Sequence, residues 1–116
     1  MEIGYFTMPS HPPECGLKEG HDWDLQTLRW LDELGYQEAW IGEHHTAPWE
    51  PHPSPDLLLA QAFLQTKNIR LGPGGFLLPY HHPAELGGEV FAPPQYWRSQ
   101  PSTQKALFGA TTFGTR

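Results

Sequence analysis

The sequence predicts an α/β fold with a parallel sheet, on three observations. Three short apolar runs, at residues 3–7, 38–42 and 69–71, alternate with two segments of helical period. Each run is followed by a histidine-bearing loop bounded by proline, TMPSHPP, EHHTAPWEPHP and PYHHP. Ser54-Pro55-Asp56 is a strong helix start between the second run and the third, with Ser as N-cap, Pro at the first helical position and Asp near the positive end of the dipole.

IGYFT reads as a buried strand, which MPSHPPECG breaks with three prolines and a glycine. DWDLQTLRWLDELGY, residues 22–36, reads as a helix capped by Asp22 or Asp24, with Leu25, Leu28, Leu31 and Leu34 on one broad apolar face. Gly35 is placed to end it in a left-handed conformation. EAWIG reads as the second strand, and LLLAQAFLQTK carries the second helix after its cap. Residues 69–71 and 76–78 flank the glycine-rich kink GPGG in an expected third strand, which PYHHP closes. Crossovers of one hand set consecutive strands side by side. From residue 87 onward no helical stripe appears, and Pro, Gly, Ser, Thr and Gln dominate. This stretch reads as an irregular tail.

The totals bound the function. The chain has 116 residues, enough for one small domain, and carries a net charge of -6 with its 7 Lys and Arg scattered, which excludes a nucleic-acid footprint. The single cysteine, Cys15, excludes an internal disulfide and fits a reducing, cytoplasmic setting. The first residues show no secretory signal, and no apolar run reaches the roughly 20 residues of a membrane span.

Chemistry gathers at the carboxyl ends of strands in parallel α/β folds. Neighbouring parallel strands therefore bring His11, then Glu43, His44 and His45, then Tyr80, His81 and His82 to one rim, where imidazoles can move protons near neutral pH. His11 and His52 read as solvated surface residues. Adjacent side chains in extended chain diverge, so one of His44 and His45 is expected to face the rim while the other packs or bonds to backbone. The same divergence, and the lack of HExxH or CxxC, argue against a metal site. GPGG lacks phosphate-loop spacing and reads either as a kink or as a place where backbone approaches a flat ligand. Trp40 reads as core, and Trp49 is open to a stacking role.

GYFTMPSHPPE, DELGYQEAWIGEHHTAPWEP, SPDLLLA and IRLGPGGFLLPYHHPAEL follow one another at ordinary spacing. Together, over residues 2–86, they resemble the N-terminal part of the bacterial luciferase-like, flavin-dependent monooxygenases, in the limonene monooxygenase-like branch. The resemblance implies a partial TIM (β/α)8 barrel, its first three strands and two helices, with flavin at the C-terminal rim. It implies reduced FMN and O2 as reactants, a separate flavin reductase as electron supplier and a small organic substrate. Relatives that transfer hydride with deazaflavin F420 are the alternative chemistry. It assigns acid–base work to His44 supported by Glu43 and His45, and cofactor approach to Gly72, Gly74, Gly75 and Phe76, with Tyr80 and His81 closing the strand.

The resemblance stops at residue 86, where GGEVFAPPQYW replaces the expected helix. The expected division is therefore a barrel segment over 1–86 and an irregular, truncated or frame-shifted tail over 87–116. A full barrel takes about 250 residues and usually binds phosphate near its seventh and eighth strands, so an inactive fragment is expected. A non-catalytic, self-associating interaction module is the rival reading.

Overall fold

The structure is a computed structural model and describes residues 2–84. Its elements are β1 (Gly4–Thr7), α1 (Leu17–Glu33), β2 (Glu38–Ile41), α2 (Pro55–Gln65) and β3 (Arg70–Pro73), followed by a single 3-10 turn, Leu78–Tyr80. The contacts divide the chain into two units, Met1–Phe76 and Leu77–Arg116. The expected irregular tail over 87–116 lies outside the described residues.

The sheet is parallel in the order β1-β2-β3, with Tyr5 beside Ala39 and Ala39 beside Leu71. The alternation of apolar runs and helical segments therefore yields the expected parallel neighbours. The residue at each of these positions, and two further along, faces the helices, so Ala39, Ile41 and Leu71 are buried against Leu25, Leu28, Leu31, Leu58, Leu59 and Ala62. Tyr5, Tyr36 and Phe63 pack around this core.

Helix α1 begins at Leu17, five residues before the expected start, with Gly16 as N-cap and no side-chain cap bond. Neither Asp22 nor Asp24 is a cap, because each carboxylate has another partner: Lys18 one turn back for Asp22, and His11 for Asp24. With those partners they no longer compete for the backbone, which is what makes Asp a poor mid-helix residue. Leu25, Leu28 and Leu31 are buried, but Leu34 is the C-cap and 75% exposed, so the apolar stripe ends at Leu31, three residues earlier than expected. Gly35 has φ 81°, and the N–H groups of Gly35 and Tyr36 reach back to the carbonyls of Asp32 at 3.2 Å and Leu31 at 3.0 Å. That paired return is a Schellman ending, and the left-handed residue it needs is the glycine.

Asp32, on the last turn of α1, ties the helix to the third strand. Its carboxylate accepts the N–H groups of Lys67 at 2.7 Å, Asn68 at 2.8 Å and Ile69 at 2.7 Å. Helix α2 begins at Pro55 as expected, with Ser54 at the N-cap position, although the Ser54 hydroxyl makes no cap bond.

The third strand is shorter than expected. The Gly74 N–H donates to the Ile41 carbonyl at 2.6 Å just past the strand's last residue, Pro73, and residues 76–78 do not resume it. Pro73 has no N–H for the ladder, and two glycines after it add none of the side-chain packing that holds a strand. Among the described residues, no helix is long and apolar enough to cross a membrane.

Candidate active site

Strand β2 ends at Ile41, and Glu43, His44 and His45 follow at its carboxyl end. The Gly42 N–H still donates to the Thr7 carbonyl at 2.8 Å, so the loop leaves from a fixed point. The Glu43 side chain is fully buried and pairs through Oε1 with His45 Nε2. A carboxylate so removed from water needs such a partner. His44 lies on the other side of the chain, with Nδ1 2.6 Å from Oε2 of Glu50. The carboxylate lies off the line of the ring N–H, as an ion-pair contact rather than a linear hydrogen bond. The two histidines diverge as expected, and each imidazole meets its own carboxylate.

Glu50 is the residue that motif reading misses. It sits six positions beyond His44, in a stretch read only as proline-broken loop. The signal available was its charge, the single carboxylate between Glu43 and Asp56.

His11 and His52 are corrected. His11 is not a solvated surface residue: its side chain is 17% exposed and its Nε2 lies 3.0 and 3.1 Å from the two oxygens of Asp24 on α1. Its N–H donates to the Trp49 carbonyl at 2.8 Å, which stitches the β1–α1 loop to the β2–α2 loop. His52 is half-buried, its Nε2 has no hydrogen-bond partner among the described residues, and burial lowers its pKa from the usual histidine value. Both line a cavity of about 570 Å³ between the two loops and the starts of the helices, together with Asp24, His21 and several prolines. Glu43, His44 and His45 do not line it. The volume is that of a ligand site, but it is separate from the EHH residues.

On the sheet face turned away from the helices, the register sets Phe6 beside Trp40 and Trp40 beside Gly72. A Cβ on Gly72 would lie 2.8 Å from the Trp40 ring, and one on Gly74 would lie 2.5 Å from the Phe6 ring. These glycines make room for two aromatic side chains, while a Cβ on Gly75 would meet nothing within 4 Å. Trp40 is consequently half-buried on the open face and is not part of the helix-side core. Phe6 is 59% exposed beside it. Further down the same face Arg70 reaches Glu38 and Glu2, each at 3.4 Å. Phe76 is half-buried at the end of the first unit. In the second unit, Tyr80 ends the 3-10 turn and His81 is its C-cap.

Residues 1–91 match the family described as luciferase-like monooxygenase. The chain is 46% identical over 85 residues to 4-hydroxyprotoasukamycin monooxygenase of Streptomyces nodosus subsp. asukaensis, covering 72% of this chain and 22% of that protein. It is 39% identical over 83 residues to limonene 1,2-monooxygenase of Rhodococcus erythropolis, covering 72% of this chain and 21% of that one. Among solved structures it resembles the oxygenating constituent of 3,6-diketocamphane monooxygenase of Pseudomonas putida, a type II Baeyer–Villiger monooxygenase in complex with FMN. The TM-score is 0.73 and the identity 38%, over 78% of this chain and 25% of that chain. The chain thus spans about a quarter of the length of these relatives, and its three strands and two helices are a partial TIM barrel. By the extent of the family match and the order of its strands, the chain belongs to the luciferase-like monooxygenases.

Proposed function

We propose that the chain is the histidine-bearing segment of a flavin-dependent monooxygenase that uses reduced FMN and O2 to oxygenate a small organic molecule. The observation that carries this reading is the pair of carboxylate-held histidines at the carboxyl end of β2. A solved relative of 38% identity holds FMN, which favours FMN over F420. That relative is an oxygenating constituent, which supports a separate reductase as electron supplier.

The residues present fit a flavin in one respect that the geometry allows to be tested. Phe6 and Trp40, seated over Gly74 and Gly72, offer a partly exposed aromatic patch on the open face of the sheet. An aromatic bed suits a planar ring system. Phe6, Trp40 and the backbone at Gly75 would hold the ring, with Phe76 as a further candidate. Bound and reduced, the flavin supplies the two electrons that place one oxygen atom in the substrate and release the other as water. His44 moves the proton; the buried Glu43 and its partner His45 anchor the adjoining chain on the opposite side. The edges of the described sheet are β1 and β3, and exposed edges favour self-association.

The relatives' remaining three-quarters would supply most of a cavity wall, so the 116-residue chain by itself is expected to bind FMN weakly and to turn over no substrate. Titrating FMN with the chain and following flavin fluorescence tests the binding. Saturable quenching that weakens in Phe6→Ala supports the bed, and absence of quenching sinks it. Supplying reduced FMN, O2 and a terpene panel tests the activity. Substrate-dependent product that disappears in His44→Ala would overturn the expectation of inactivity while supporting the role of His44.

A further inference from the structure

We infer that Glu50 is the positioning residue of His44: it holds the imidazole proton on Nδ1 and leaves Nε2 as the basic nitrogen. The backbone places this carboxylate with unusual firmness for a loop. Thr46, just after the EHH residues, has φ 57°, a left-handed conformation uncommon for a β-branched side chain. The chain turns there, and the Glu50 N–H then donates to the Ala47 carbonyl at 3.1 Å. The Glu50 carbonyl accepts the His52 N–H at 2.8 Å, and the His52 carbonyl accepts the N–H of His44 itself at 2.9 Å. The neighbouring Trp49 carbonyl is tied to His11 at 2.8 Å. Glu50 is therefore folded back beside His44 by bonds on both sides of it, and its Oε2 arrives 2.6 Å from Nδ1.

A neutral imidazole carries one proton, and what its nitrogens face decides which one holds it. A carboxylate can only accept, so its approach to Nδ1 favours the proton there and a lone pair at Nε2. His45 is held the opposite way, with Glu43 at Nε2. The adjacent histidines are thus set in opposite tautomers by two different carboxylates. For His44 the consequence is directional. A proton leaving an O–H or N–H group forms the new bond at Nε2, the imidazolium is stabilised by Glu50 at Nδ1, and the same proton can return from Nε2.

This consequence rests on the acid–base reading of His44, but the tautomer does not and is measured without flavin or substrate. Long-range proton–nitrogen NMR of the full chain at about pH 8, where ordinary imidazoles are neutral, should show His44 as Nδ1–H and His45 as Nε2–H. In Glu50→Ala the His44 signal should move to predominantly Nε2–H with His45 unchanged, and Glu50→Asp should restore part of the Nδ1–H population. A native chain with His44 already in the Nε2–H form overturns the inference, and so does a tautomer unmoved in Glu50→Ala. The native spectrum decides the matter even where Glu50→Ala does not fold. Failure of the acid–base reading shows separately: the tautomers as stated, with substrate-dependent product from the terpene panel that persists in His44→Ala.

Discussion

On the helix-covered face of the sheet Ala39, Ile41 and Leu71 are buried with Leu58 and Leu59; on the other face, one residue along each strand, Phe6 is 59% exposed and Trp40 half-buried. Both faces come from the same four-residue strands. The difference is in where their partners lie along the chain. The covered face closes with side chains from residues 5–71, whereas the open face carries aromatic rings, an Arg70–Glu38 pair and glycines, with no helix against it among the described residues. One face stabilises the segment, and the other presents the aromatic rings proposed above as a bed for the flavin.

The comparison is sharpest in paired truncations. Leu58 has no exposed surface and touches the centre of the core, so Leu58→Ala is expected to cost about 3 kcal/mol by leaving a cavity that cannot fully collapse. Phe6→Ala, on the open face, is expected to change stability by less than about 1 kcal/mol. Urea midpoints of the two variants check this. Equal losses would mean that the open face is packed in solution and the two faces are not distinct.

The next effect concerns how the covered face is closed. Asp32 satisfies three consecutive N–H groups at the entry to β3; Lys67 and Asn68 can turn to water if the carboxylate is removed, but the N–H of buried Ile69 loses its acceptor. Asp32→Ala is expected to cost about 2 kcal/mol, and hydrogen exchange at Asn68 and Ile69 should accelerate with it. Unchanged exchange there would show that β3 is held by its ladder alone.

The covered face was legible in the sequence because its signals are local. Apolar residues at helical spacing gave Leu25, Leu28 and Leu31; Gly35 marked the helix end; Ser54-Pro55 marked the second start. The failures share a cause. Asp22 and Asp24 look like caps until Lys18 and His11 claim them, and His11 looks solvated until Asp24 does. Glu50 carries no motif and becomes visible only when the loop folds it onto His44. Gly72 and Gly74 announce a close approach without saying to what, and the nearest atoms belong to Trp40 and Phe6. Long-range partners of polar residues decide the rim, and spacing along one chain does not encode them.

The rim should also differ from the core in holding strain. Thr46 adopts φ 57° with a β-branched side chain, a conformation that costs on the order of 1 kcal/mol or more. Asn tolerates it better. Thr46→Asn is therefore expected to raise stability by about 1 kcal/mol while leaving the His44–Glu50 contact in place. Thermal unfolding checks the gain, and the His44 tautomer checks the contact. A loss of stability would mean that the Thr46 side chain makes an interaction worth more than the strain.

The smallest effect is a pH dependence from the rim alone. Burial pushes the His52 pKa below its ordinary value, His21 and His11 push the same way, and Asp24 and Asp56 oppose them. The unfolded chain, with an ordinary histidine, therefore takes up a proton before the folded chain does. Stability is full above the ordinary value of 6.5, falls as pH drops through it, and levels off once pH is below the folded value. His52→Gln removes this contribution, since glutamine does not titrate. Urea midpoints at about pH 7.5 and about pH 5.5 bracket the ordinary histidine range. The native chain should lose more stability between them than His52→Gln does, and the same comparison on Leu58→Ala should leave the difference intact, because the core site is apolar and distinct from the rim. Identical pH slopes in the native chain and His52→Gln would show that the ring is hydrated in the folded chain, and that the rim is more open around His52 than its buried Nε2 implies.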